Sequence, residues 1–118
     1  MDTRTIDTEG VVRRHLQTFV ERKGLDAIVS DYTDEACLLN ESSTHRGKPE
    51  IRRFLEDFIA GLPPRAIDEF ALRSLRVDGD VAHITWSAGR ELLLGTDTFV
   101  VRGGKIVSQT VAMYRLPR

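Results

Sequence analysis

Along the first sixty residues the apolar positions fall at helical intervals; beyond them they fall at alternate positions. Val12, Leu16, Phe19 and Val20 recur every three to four residues, the stripe of an amphipathic helix. Asp7 or Thr8 stands where a side-chain oxygen would cap that helix, and Lys23-Gly24 ends it. Leu25, Ile28, Val29 and Tyr32 repeat the pattern in a short second helix. "EACLLNE" then reads as a strand, and "SSTHRG" as the polar return after it. Pro49 opens a third helix at a first-turn position, where its missing N–H costs nothing. Its stripe is Ile51, Phe54, Leu55, Phe58, Ile59 and Leu62, and "GLPP" stops it.

In the second half the period is two. Residues 67–77, 81–88, 91–102 and 105–115 predict four strands separated by "DGD", "AGR" and "GG". Short glycine turns between β-rich runs signal antiparallel hairpins. In the first of these strands the apolar phase slips: Phe70 and Leu72 share one face, Leu75 and Val77 the other. A bulge near Arg73-Ser74 would produce that slip and bend the strand. Helices first and strands afterwards make an α+β layout. Three amphipathic helices on the concave face of a bent sheet leave a cavity at the open end of a cone, suited to a small apolar ligand. No repeat, low-complexity stretch or linker interrupts the pattern, so one domain over residues 1–118 is expected.

One residue disturbs the alternation. Asp97 lies in "LLLGTDTFVV", between two threonines, although aspartate competes with the ladder for backbone hydrogen bonds. Parity groups it with Leu93, Gly95, Phe99 and Val101; Leu92, Leu94, Thr96, Thr98 and Val100 form the other face. Neither face is polar enough to be simply solvated. One is expected to take the helices and the other to meet a second copy, giving a homodimer through the convex sheet face.

Composition narrows the function classes. A net charge of −1 argues against a nucleic-acid partner. Cys37 is the single cysteine, so no internal disulfide forms, and with the three histidines it shows no metal-ligand spacing. The polar start "MDTRTIDTEG" lacks a signal-peptide core and no apolar run reaches a membrane span. A cytoplasmic, cofactor-free protein without a membrane partner is the expectation.

The candidate chemistry is sparse. An inward Asp97 has its pKa raised by desolvation, and a neutral carboxylic acid can donate to a carbonyl or enolate oxygen. The plainer alternative is a carboxylate satisfied by backbone or an arginine. His15 lies on the apolar side of its helix, between Val11 and Phe19 at four-residue spacing. It is either a satisfied core residue or, if it reaches the cavity, the general base near neutral pH. Asn40 shares the parity of Leu38; its amide either orients a ligand or bonds nearby backbone. Trp86, in phase with Ile84 and Ala82, points inward as core or lining. Tyr32 either donates its hydroxyl inward or packs with its tip in water. Cys37 has no evident activating partner.

"GLDAIVSDYTDEACLLN", "HRGKPEIRRFLEDF" and "GTDTFVVRGGKIVSQTV" resemble the SnoaL-like branch of the nuclear transport factor 2-like superfamily. The likeness covers nearly the whole chain. It implies a cystatin-like α+β cone whose curved antiparallel or mixed sheet holds three helices on its concave face. Members include ketosteroid isomerases and polyketide cyclases, and the superfamily also hosts non-catalytic modules. The isomerase uses an aspartate base on its first strand, and the matching position here is Asn40. Asp97 matches the protonated aspartate of its oxyanion hole. The oxyanion-hole tyrosine falls at His15 or Leu16. Tyr32 matches a tyrosine of the supporting network, and Leu55 replaces another. The likeness turns Gln109, in phase with Val107, Val111 and Met113, toward the cone. It implies proton transfer on a steroid- or polyketide-like carbonyl compound, with Asp97 and His15 catalytic. Asn40, Gln109, Tyr32, Trp86, Met113 and Leu55 would contact substrate. The alternative is a ligand-binding or dimerisation module without turnover, its cavity narrowed by Leu55, Trp86 and Met113.

Overall fold

The computed structural model describes residues 2–117. Helices α1 (Thr3–Val20) and α2 (Leu25–Val29) lead into β1 (Tyr32–Leu39) and β2 (Thr44–Arg46). Helix α3 (Lys48–Ala60) follows, then β3 (Phe70–Asp78), β4 (Val81–Ala88), β5 (Leu92–Arg102) and β6 (Lys105–Arg115). The strands form one sheet in the order β2-β1-β6-β5-β4-β3. β3 to β6 is an antiparallel meander, whereas β1 runs parallel to β6 and antiparallel to β2. The mixed sheet thus joins the helical half of the chain to the last strand of the meander.

Local chemistry explains the elements. Gly103 and Gly104 both take positive φ, 58° and 77°. A two-residue hairpin needs that conformation to match the twist of its strands. The register of β3 shifts between Leu72 and Ser74, at the place where the apolar phase slips. Further shifts fall at Trp86/Ala88, Leu92/Leu94 and Val100/Val101, and bulges of this kind bend a sheet. Val12, Leu38, Ile51, Ile84, Phe99 and Ile106 are fully enclosed between the sheet and the helices. Among the described residues no helix is long and apolar enough to cross a membrane.

Several boundaries differ from the sequence expectation. Helix α1 starts at Thr3, capped by Asp2 Oδ1, which accepts from the Arg4 N–H at 2.9 Å; Asp7 and Thr8 lie inside it. Its first turns carry no apolar stripe because their inward residues are threonines. Thr8 Oγ1 donates to the Gly79 carbonyl at 2.7 Å, and the Gly79 N–H donates to Thr5 Oγ1 at 2.9 Å. These bonds fasten the helix to the β3–β4 turn. Tyr32 opens β1 instead of closing α2, pairing with Ile106 in the parallel ladder. Three residues of the polar return form β2, and β3 begins at Phe70, after a run of turns that follows Pro63. Leu93 is half exposed and off the Asp97 face, because the shift at Leu92/Leu94 puts buried Leu92 there instead.

Candidate functional site

Asp97 sits at the middle of β5, its Cα paired with Ile84 of β4 on one side and Val111 of β6 on the other. Only 7% of its surface is exposed. The Trp86 indole Nε1–H donates to Oδ1 and the Gln109 amide Nε2–H donates to Oδ2, both at 2.8 Å. Burial pushes the carboxyl above the usual range; the donors from Trp86 and Gln109 and the nearby histidines His15 and His83 pull it down but do not win. The indole reaches Oδ1 because residue 95 is glycine. A Cβ there would lie 2.0 Å from the indole Cε2.

From Gln109 a polar chain runs across the core. The Tyr32 hydroxyl donates to Gln109 Oε1 in a short hydrogen bond. On its other side stands His15 Nε2, at 3.4 Å. The opposite ring nitrogen, Nδ1, donates to Asp31 Oδ2 at 2.8 Å, and Arg14 Nη2 lies 3.5 Å from the other oxygen of Asp31. Burial would raise the Asp31 carboxyl, but the His15 hydrogen bond and charge and the Arg14 guanidinium outweigh it and hold it low. Tyr32 is pushed far up, first by burial and then by the Asp97 and Asp31 charges, so its hydroxyl stays neutral. Asp31, His15, Tyr32, Gln109, Asp97 and Trp86 therefore form one continuous buried line of polar side chains. An ionised Asp31 fixes the proton of a neutral His15 on Nδ1 and leaves a lone pair on Nε2.

The line borders a cavity of about 80 Å³ between α1, α3 and the sheet. His15, Asp97 and Gln109 are its polar lining; Leu55, Trp86, Phe99 and Leu16 are among its apolar walls. A second, larger hollow of about 550 Å³ adjoins it, lined by Asn40, Glu41, His45, Arg53 and Met113 among others. Phe54, Phe58 and Val111 border both spaces.

The expected site residues divide accordingly. His15, Asp97, Gln109, Trp86 and Leu55 converge on the inner cavity, and both His15 and Leu16 reach it. Tyr32 lies behind the wall, joining His15 to Gln109. Asn40 does not share the inward face with Leu38: β1 has ended, and its Oδ1 accepts the N–H groups of Ser42 and Ser43 at 2.9 and 2.8 Å. Met113 is 40% exposed and faces the outer hollow. His15 and Asp97 do not touch but are bridged by Tyr32 and Gln109. Asp31 escaped the sequence reading; its one local signal was a carboxylate beside an inward tyrosine. Among the described residues no three acidic, histidine or cysteine side chains gather as metal ligands.

Comparison with solved structures identifies this architecture. A protein of unknown function from Mesorhizobium loti, like nuclear transport factor 2, superposes with a TM-score of 0.76 at 23% identity, covering 96% of this chain and 95% of that one. A proposed ketosteroid isomerase from Kribbella flavida gives 0.73 at 18% identity, over 97% and 82%. A proposed SnoaL-like polyketide cyclase from a Jannaschia species gives 0.79 at 11% identity, over 96% and 89%. At these identities the likeness is one of fold. No curated protein matches the sequence. The family model of the SnoaL-like domain matches residues 12–109, from the enclosed Val12 of α1 to the glutamine that holds Asp97, and the chain belongs to that family.

Proposed function

We propose that this protein binds an apolar carbonyl compound and catalyses proton transfer on it without a cofactor. The observation that carries the reading is the Asp31–His15 pair and the burial-raised Asp97 meeting at one small apolar cavity. His15 Nε2 takes a proton from carbon next to the carbonyl. The electron pair moves onto the carbonyl oxygen, where protonated Asp97 donates to it. Return of the proton from His15 to the far carbon of a conjugated dienolate completes an isomerisation. In a β-hydroxy compound the enolate pair instead forms the C=C bond as the C–O bond breaks, and the hydroxyl leaves as water with the proton from His15. Asp31 is a positioning residue that holds the tautomer. Gln109 and Trp86 orient the acid.

The inner cavity limits what can bind. A drug-sized pocket is about 300–1,000 Å³, so a space of about 80 Å³ takes the reacting carbonyl and little more. The rest of a polycyclic ligand extends past Phe54 and Phe58 into the outer hollow, beside Asn40 and Met113.

Binding of a substituted phenolate, an enolate mimic, tests the role of Asp97. The wild type is expected to bind it at least tenfold more tightly than Asp97→Asn. Equal binding, or none, ends this assignment.

The small cavity also favours a second reading, a ligand-binding module without turnover. Exchange of α-protons of cyclic ketones into deuterated water separates the two. Catalysed exchange that disappears in His15→Gln supports the enzyme, and binding without exchange supports the module. A homodimer through the outer sheet face accompanies either reading.

A further inference from the structure

The line from His15 to Asp97 can be completely hydrogen-bonded in two ways. In the first, Asp97 is ionised and accepts from Trp86 and from the Gln109 amide N–H. Gln109 Oε1 then accepts the Tyr32 hydroxyl, and the Tyr32 oxygen is left to accept a proton from His15 Nε2, which requires an imidazolium. In the second, every middle bond is reversed. Protonated Asp97 donates to Gln109 Oε1, the Gln109 amide donates to the Tyr32 oxygen, and the Tyr32 hydroxyl donates to the lone pair of a neutral His15. A glutamine amide turns over with almost no change of shape, and a phenol hydrogen rotates freely. The bonds from His15 Nδ1 to Asp31 and from Trp86 to Asp97 are the same in both. So is the number of protons.

The two remaining combinations each break the line. With His15 neutral and Asp97 ionised, the Nε2 lone pair faces a Tyr32 oxygen whose hydrogen is already given to Gln109. The 3.4 Å separation at that point is the longest in the line. With both ends protonated, two donors converge on a bridge that can accept only one. We infer that His15 and Asp97 share one proton and titrate as a unit, with Tyr32 and Gln109 as the positioning residues that couple them.

The consequence is a masked base. In the neutral order Nε2 is occupied by the Tyr32 hydroxyl. A ligand oxygen that takes the Asp97 proton bond in place of Gln109 lets the amide turn back, and Tyr32 follows it. The lone pair of Nε2 is then free, so the base is exposed only when the acid is engaged. This extends the proposed roles of His15 and Asp97 but is tested without ligand, so each idea can fail alone.

Other charged groups near the ends are few. Beside His15 they are Arg14 on its own helix, Asp31 before β1 and Tyr32 at its start. Strand β5 brings Phe99 against the ring and, further along, Asp97 itself, whose charge His15 feels directly. Around Asp97, β4 brings His83 as well as Trp86, and β6 brings Gln109. Helix α3 faces the cavity with Phe54, Leu55 and Phe58, none of which titrates.

The test is NMR titration of the full chain, following the ring nitrogens of His15 and the carboxyl carbon of Asp97. In the wild type both signals are expected to show the same two inflections, separated by about one to two pH units, as for interacting sites. In Tyr32→Phe, and independently in Gln109→Met, each signal is expected to collapse to a single step of its own. One-step curves with different midpoints in the wild type would overturn the inference. So would a two-step pattern that survives both substitutions, since the coupling would then run through space.

Discussion

A methyl group on Gly95 would lie 2.0 to 2.6 Å from three atoms of the Trp86 indole, which stands directly opposite it in the β4–β5 register. Gly95→Ala must therefore move the ring and break its bond to Asp97. A loss of about 1–3 kcal/mol is expected, the usual cost of overpacking. Trp86 is the only tryptophan, so a shift of its emission during denaturant unfolding reports the same event, and unchanged emission would refute it. Asp97 and Asp31 should respond to pH with opposite signs. Burial raises the folded-state pKa of Asp97, so its contribution to stability is full below about pH 4 and is lost as pH rises through the raised value. Asp31 is held low despite its burial, so its contribution is present above about pH 4 and is lost as pH falls through the lowered value. Relative to wild type, Asp97→Asn should gain stability as pH rises from about 4. Asp31→Asn should lose about 1–3 kcal/mol at neutral pH and recover in acid. Denaturant melts at about pH 3, 5 and 7 check both; differences that do not change with pH would sink the assignment. The candidate site was legible where helical phase placed His15 and strand phase placed Trp86, and where the family resemblance chose the inward face for Asp97 and Gln109; all four reach the cavity. Asp31 was not, because its importance lies in a contact with a residue sixteen positions away. Asn40 misled because parity cannot show where a strand stops.

At the scale of elements, periodicity found each helix and each meander strand, and even the bulge in β3. It failed where polar residues do the packing. Thr5 and Thr8 face inward as a stripe would, but hydropathy does not mark them, so the first turns of α1 went unread. Thr8→Val keeps the shape and removes the donor to the Gly79 carbonyl. About 1–3 kcal/mol should be lost, with hydrogen exchange accelerating first in the β3–β4 turn; uniform acceleration along the chain would contradict this anchoring role. The parallel pairing of β1 with β6 was also hidden, because two segments far apart in sequence carry no local sign of their alignment. Helix α3 offers its own test. Phe58 borders both the inner cavity and the outer hollow, so Phe58→Ala should open each more widely to the other. The affinity ratio for a naphtholate over a phenolate should rise several-fold, measured by fluorescence titration, and an unchanged ratio would show that the ring does not limit that opening.

The molecule as a whole leaves one sheet face bare. Leu94 and Tyr114 lie opposite each other on β5 and β6, 48% and 56% exposed. Beyond them the paired outward positions are Thr96 with Ala112, Thr98 with Thr110, and Val100 with Ser108. No formal charge interrupts these positions. On the flanking strands the same face carries Val81, His83 and Thr85 of β4 and Leu39 of β1, and Arg76 lies beyond His83 on β3. The uncharged β5–β6 centre suits a copy of itself, whereas a charged partner would leave its own groups desolvated and unpaired there. Contiguous apolar patches of this kind are seldom left to water in a stable monomer. An arginine at the centre tests the pairing without touching the buried side. Thr96 and Thr98 point away from Asp97, so Thr96→Arg or Thr98→Arg should leave the inner cavity and phenolate binding intact. Across a two-fold axis each substitution brings two positive charges together, and light scattering should show the mass falling from dimer to monomer. A mass that stays dimeric in both variants would move the interface elsewhere. A wild type that is already monomeric at micromolar concentration would remove it.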